Sequence, residues 1–140
     1  MQIQCGSNKY DALTYITYYE DELETTFLIL MLCLINPLMS QYVASQKGDK
    51  AEVRDINGKY VACGYYSGLK DVAQGNEIVV LWFESNKVEV RSYDLKYISS
   101  EYYSDLKKIS ATGDYVVLYY DSGKVEVRDK NLKYISSWYQ

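Results

Sequence analysis

The feature that most constrains this chain is an internal repeat of 37 residues. The tripeptide Glu-Val-Arg occurs at 52–54, 89–91 and 126–128, and Lys-Tyr followed by Val or Ile occurs at 59–61, 96–98 and 133–135. Aligned without a gap, residues 67–103 and 104–140 are identical at 19 of 37 positions. Such self-similarity indicates tandem duplication of one supersecondary unit, and units of this kind stack on their neighbours to bury a continuous core.

Each repeat reads as four short strands. In the last copy, runs rich in Val, Ile, Leu and Tyr cover 106–110, 115–120, 124–128 and 132–139. Short segments containing Gly, Asp, Asn and Ser separate these runs, as hairpin turns require. The pattern predicts a four-stranded antiparallel meander for each unit.

Two of the predicted strands differ in their patterning. Residues 78–83 (IVVLWF) and their equivalents 115–120 (YVVLYY) are apolar at every position, so we expect this strand of each repeat to be covered on both faces. Residues 124–128 (KVEVR) alternate, with Val125 and Val127 on one face and Glu126 and Arg128 on the other. Alternation of this kind predicts a half-exposed strand whose charged face meets water.

The runs at 76–92 and 113–129 resemble blades of β-propellers of the WD40-like or quinoprotein-like kind. The resemblance implies an all-β chain of four-stranded tandem repeats that form propeller blades. The alternative fold is a β-trefoil, which also consists of three four-stranded repeats. The Trp-Asp and Gly-His dipeptides of WD40 repeats are absent, and 37 residues is shorter than the WD40 period of about 40–45. The resemblance therefore names the fold and no narrower family.

The repeats divide a single domain, 1–140, into four parts. These are degenerate strands with an apolar insertion (1–40), a partial repeat (41–66) in which Tyr42-Val43 aligns with Val79-Val80, and two full repeats (67–103 and 104–140). Acidic residues precede the apolar run 27–35 and Pro37 follows it, which predicts a short apolar helix or strand near 24–36. The run is shorter than the roughly 20 residues of a bilayer-spanning helix, so we predict no membrane span.

The number of repeats predicts self-association. Propellers close with four to eight blades, whereas this chain supplies about three. An incomplete ring leaves the apolar faces of its end blades uncovered. We therefore expect a homo-oligomer, most simply a homodimer in which two chains meet head to tail.

Composition excludes several function classes. The chain has no histidine, which rules out imidazole-dependent catalysis, and its net charge of −4 argues against nucleic-acid binding. Its three cysteines form no CxxC pair, so we expect free, buried thiols, a reducing compartment and a cytoplasmic location. No metal or other cofactor is predicted.

The candidate binding residues are repeated aromatic residues and two turn aspartates: Tyr65, Tyr66, Tyr102, Tyr103, Trp138, Tyr139, Asp105 and Asp121. Tyrosine gives rigid contact area at a low cost in entropy. The competing structural interpretation is that one tyrosine of each pair packs between blades while the aspartates form turns. We expect a non-enzymatic binding or scaffold protein with an unidentified protein partner; the alternative is a lectin that stacks tyrosine and tryptophan rings on sugars.

Overall fold

The computed structural model describes residues 41–140, which form strands and connecting turns. The degenerate strands of 1–40 and the helix or strand predicted near 24–36 lie outside the described residues. Within 41–140, no helix is long and apolar enough to cross a membrane.

The strands of this region follow one another along the chain with short connections. They are β1 (Tyr42–Lys47), β2 (Lys50–Asp55), β3 (Tyr60–Tyr65), β4 (Leu69–Gln74), β5 (Ile78–Phe83), β6 (Lys87–Ser92), β7 (Tyr97–Tyr102), β8 (Leu106–Thr112), β9 (Tyr115–Tyr120), β10 (Lys124–Arg128) and β11 (Tyr134–Tyr139).

These strands form three antiparallel sheets in which neighbours in sequence are neighbours in space. The first sheet holds β1–β3, the second β4–β7 and the third β8–β11. Strand β4 contacts β8, and β1 contacts β4. Separate antiparallel meanders that stack on one another in chain order are the arrangement of β-propeller blades, which confirms the predicted fold and sets aside the β-trefoil.

We call the face of a sheet that is directed toward the following sheet in the chain its trailing face, and the opposite face its leading face. The leading faces of the second and third sheets are thus directed toward the sheet before them. All six residues of β5 are buried, which confirms that this strand is covered on both sides. The same prediction is wrong for β9, where Tyr115 is exposed and Tyr119 and Tyr120 are half-buried, because no sheet among residues 41–140 follows the third one. The leading side of β5 joins a cluster with the first sheet: Ala51, Val53, Leu69, Val79, Leu81, Phe83 and Leu95. Its trailing side joins a cluster with the third sheet that includes Ile78, Val80, Trp82, Val116 and Leu118.

The turn between β1 and β2 shifts the register of the first sheet by one residue. This turn has two residues, Gly48 and Asp49, whereas the β5–β6 turn has three. Consequently Val43 pairs with Arg54 as Val79 pairs with Arg91. The sequence alignment of Val43 with Val80 is therefore wrong by one position, because the deletion falls inside the hairpin.

Cys63 corrects the expectation of buried thiols. It is a free cysteine, but it is exposed. The hydroxyl of Tyr60 donates a hydrogen bond to its Sγ at 3.4 Å. The other two cysteines lie outside the described residues.

Candidate functional site

The candidate tyrosines separate into an exposed set and an interior set. Tyr65, Tyr102 and Tyr139 are 78%, 69% and 70% exposed. Tyr66 and Tyr103, one residue further along the chain, pack against the two clusters between sheets. The two members of each pair therefore occupy different environments, as the structural interpretation of the sequence anticipated.

The exposed set, which we call the rim tyrosines, occupies one repeated position. Tyr65 is the cross-strand partner of Lys50, Tyr102 of Lys87 and Tyr139 of Lys124. Cross-strand partners share a face of the sheet, so each ring lies beside a lysine at the same end of its sheet. The result is one tyrosine–lysine pair on each of the three sheets.

The interior tyrosines each cover an arginine of the next sheet. The ring centroid of Tyr66 lies 4.9 Å from Cζ of Arg91, and that of Tyr103 lies 5.0 Å from Cζ of Arg128. The hydroxyl of Tyr103 donates to Oε2 of Glu101 at 2.6 Å. Burial, reinforced by this hydrogen bond, holds the pKa of the Tyr103 phenol well above its ordinary value, so the ring remains neutral. These contacts join consecutive blades and leave the two rings little access to a ligand.

The charged face of the alternating strands is buried, contrary to the prediction of a half-exposed strand. Glu89 and Glu126 are only 4% and 5% exposed. Each carboxylate is held between the lysine and the arginine two residues away on the same strand, with Nη2 of Arg128 at 2.9 Å from Oε2 of Glu126. The preceding sheet covers this face, and the paired cations compensate the charge that burial would otherwise disfavour.

The two turn aspartates come together through the backbone. The amide of Asp121 donates to the carbonyl oxygen of Asp105 at 2.9 Å. Asp105 has a φ of 59°, and the matching position of the preceding repeat is Gly68 with a φ of 74°. Both features indicate a turn that joins the end of one blade to the next.

Trp138 is separated from Tyr139 by the alternation of β11. It is the cross-strand partner of Val125, which places it on the trailing face of the third sheet, whereas Tyr139 lies with Lys124 on the leading side. Trp138 and Ile135 are each 47% exposed. Ile98, which occupies the position of Ile135 in the second sheet, packs against the core between sheets. The third sheet therefore presents an open trailing face, whose exposed and half-buried apolar residues are Tyr119, Val127, Ile135 and Trp138.

A cavity of about 290 Å³ adjoins this open trailing face. Its lining is Lys107, Lys108, Tyr119, Tyr120, Asp121, Gly123, Lys124, Val125 and Gln140. The ammonium groups of Lys108 and Lys124 lie 5.6 and 5.8 Å from the ring centroids of Tyr119 and Tyr120. Burial and the nearby Glu126 carboxylate raise the pKa of Tyr120 to about 12.

The repeat shows what fills the equivalent space one blade earlier. The positions of Tyr119, Val125 and Gln140 correspond to Trp82, Val88 and Tyr103. Those three residues are buried in one cluster with Leu106, the first residue of the following sheet. Three of the residues that line this cavity, which we call the slot, therefore occupy the positions that meet the first strand of the following sheet one blade earlier.

Sequence reasoning missed this slot and the buried ion pairs. The Lys-x-Glu-x-Arg pattern at 50–54, 87–91 and 124–128 was visible as a repeat, yet alternation alone does not say which face is covered. Among residues 41–140, no three acidic or cysteine side chains are grouped so as to hold a metal ion.

Comparison with known proteins identifies the fold through structure alone. No protein-family profile matches the chain, and no curated protein matches its sequence. BamB from Moraxella catarrhalis is similar with a TM-score of 0.57 and 13% identity, over 74% of this chain and 34% of BamB. The Neurospora crassa Pan2 WD40 domain gives 0.52 and 12%, over 72% and 34%. BBS1N, solved in complex with ARL6DN, gives 0.56 and 13%, over 71% and 35%.

This chain thus spans about a third of the length of each of these structures. At such low identity the likeness concerns the backbone arrangement and carries no activity or ligand with it. The described residues have the fold of consecutive β-propeller blades.

Proposed function

We propose that this protein is a non-enzymatic β-propeller-type scaffold that self-associates through the open trailing face of its third sheet and engages a protein partner. The observation that carries the proposal is the contrast between equivalent faces. The trailing face of the second sheet is buried under the third, whereas Ile135 and Trp138 on the third sheet are each 47% exposed. Apolar faces rimmed by charged residues favour protein contact.

The chemistry of this face suits an interface. Trp138, Val125 and Tyr119 stand opposite one another on three adjacent strands, so their side chains form one row. Large aromatic residues at the centre of a contact contribute most of the binding free energy. We propose a second copy of this chain as the partner in this contact, because inside the chain the equivalent trailing face of the second sheet already packs on another blade.

A single charge on this face is expected to release monomers. Trp138→Asp should raise the dissociation constant of the oligomer at least about thirtyfold, because it removes a central aromatic contact and places a carboxylate on an apolar surface. Sedimentation equilibrium over a range of protein concentrations measures this change.

Tyr139→Asp is the matched control, because Tyr139 lies on the same strand but faces the other side and is 70% exposed. It should leave the dissociation constant unchanged. A well-folded monomer of 16.2 kDa for the unmodified protein at micromolar concentration would contradict self-association.

The rim tyrosines remain available to a further protein partner. They lie on the leading side of each strand pair, away from the row that contains Trp138. BBS1N, which has a similar fold, was solved in complex with ARL6DN, so blades of this kind can take part in a protein complex. Tyr65, Tyr102 and Tyr139 are accordingly the residues we propose for partner contact.

The same repeated tyrosines favour a lectin as the second candidate. Exposed rings in equivalent positions on three sheets could each stack on a sugar and bind a multivalent glycan. If so, a glycan array should show binding that falls at least about tenfold in Tyr65→Ala/Tyr102→Ala/Tyr139→Ala, by loss of stacking contacts. Trp138→Ala, on the other face, should retain binding. Absence of binding across the array would contradict the lectin.

A further inference from the structure

Each interior tyrosine occupies the linker position, which is the residue that directly follows the last strand of its sheet. Among residues 41–140, one arginine and one residue at the linker position do not take part in a tyrosine–arginine contact. Tyr66 covers Arg91, and Tyr103 covers Arg128. The third linker position is Gln140, whose backbone amide bonds to Gly123 as that of Tyr103 bonds to Asn86. The remaining arginine of the Lys-x-Glu-x-Arg pattern is Arg54.

Arg54 is much more open to solvent than its equivalents. Its side chain is 48% exposed, against 21% for Arg91 and 18% for Arg128. Its guanidinium already bonds to Glu52 and to the carbonyl of Gly58, so its geometry is the same as in the buried copies. It is therefore held in position, and no ring among residues 41–140 covers it as Tyr66 and Tyr103 cover the other two arginines.

Further residues mark the leading face of the first sheet as open. Glu52 is 19% exposed, whereas Glu89 and Glu126 are 5% and 7% exposed by side chain. Val43, the cross-strand partner of Arg54, is 54% exposed, whereas the equivalent Val79 is 1% exposed. The leading faces of the second and third sheets are already covered by the sheets before them.

We infer that the open trailing face of the third sheet in one copy binds the leading face of the first sheet in a second copy, with Gln140 of one copy against Arg54 of the other. This inference rests on the proposed self-association and specifies its geometry. The contact repeats only the face-to-face part of the one between consecutive blades, because β1 corresponds to β5 and the first sheet has no strand within residues 41–140 that corresponds to β4 or β8. It is head to tail, so each copy uses two different surfaces.

The residues at the two surfaces are chemically compatible. The amide oxygen of glutamine can accept a hydrogen bond from a guanidinium, which has free donors beyond those bonded to Glu52 and Gly58. Glutamine lacks the ring that covers the arginine at the two internal contacts. We therefore expect the contact between copies to be weaker than the contact between blades.

Complementation between two blocked variants tests the head-to-tail geometry. Val43→Asp blocks the leading face of the first sheet, and Trp138→Asp blocks the trailing face of the third. Each variant alone should be monomeric, whereas an equimolar mixture should form a one-to-one heterodimer, because the first variant keeps its trailing face and the second its leading face. Sedimentation velocity of the separate and mixed proteins gives the result, and circular dichroism confirms that both variants are folded.

A gain of affinity tests the Gln140–Arg54 pair itself. Gln140→Tyr should tighten self-association about fivefold by restoring the tyrosine–arginine contact. Arg54→Ala should abolish this gain when combined with Gln140→Tyr, whereas Lys59→Ala, in the turn after β2, should not.

The outcomes separate the inference from the proposed function. If the unmodified protein self-associates but the blocked variants fail to complement each other and Gln140→Tyr has no effect, this geometry is wrong while the scaffold proposal stands. If the unmodified protein is monomeric at all concentrations, the proposed self-association itself is wrong.

Discussion

Replacing Gly75 with alanine is expected to lower the free energy of unfolding by about 3 kcal/mol, because the added Cβ has no room. It would lie 2.1 Å from the carbonyl oxygen of Gly113 and 2.9 Å from Cγ1 of Ile78. The oxygen belongs to the backbone of the adjacent blade and accepts a hydrogen bond from the amide of Asn76 at 2.7 Å. Neither partner can move without separating the two turns. Chemical denaturation of the purified variant measures the loss.

Gly48→Ala provides the control for this prediction. Gly48 has a φ of 58°, and a Cβ there would meet nothing within 4 Å. Its substitution should cost about 1 kcal/mol through backbone conformation alone. Equal losses in the two variants would show that the contact between Gly75 and Gly113 does not limit stability.

Glu126→Gln is expected to lower the free energy of unfolding by about 3 kcal/mol. The amide keeps the shape of the side chain but removes the negative charge that Lys124 and Arg128 share in a largely buried position. Glu52→Gln is the matched control, because Glu52 has the same repeat position but its side chain is 19% exposed, so the loss of stability should be clearly smaller there. Similar losses at the two positions would contradict the role assigned to burial.

The same carboxylate should make the stability depend on pH. Burial alone would raise the pKa of Glu126, but hydrogen bonds from Lys124 and Arg128 outweigh it and hold the pKa below the ordinary value of 4.5. The unfolded chain therefore binds a proton more readily than the folded one. The stabilisation is complete above about pH 4.5 and is lost as the pH falls through the lower folded pKa. The stability difference between the unmodified protein and Glu126→Gln should accordingly shrink in acid.

The sequence by itself determined the repeat, the strands and the burial of β5 on both faces, although the same pattern in β9 did not predict its exposure. Strand pairing within a meander depends on residues close together in the chain, and the turns are short, so periodicity and turn residues locate the strands well. The last strand is an informative exception. It begins at Tyr134 rather than at Leu132, because Leu132 adopts a φ of 62° in the turn while its side chain enters the core.

Only the tertiary structure decided which charged and aromatic residues are interior. Alternation puts Glu126 and Val125 on opposite faces, but it does not reveal that a neighbouring sheet covers the face with the charges. Tyr102 and Tyr103 are likewise equivalent in composition, yet one is exposed and the other packs under an arginine of the next blade. Both outcomes depend on how the sheets stack. Stacking brings together residues that are far apart in the sequence, so a local pattern does not predict it. The exposure of the trailing face of the third sheet has the same kind of cause. Among the described residues, no further blade packs on this face.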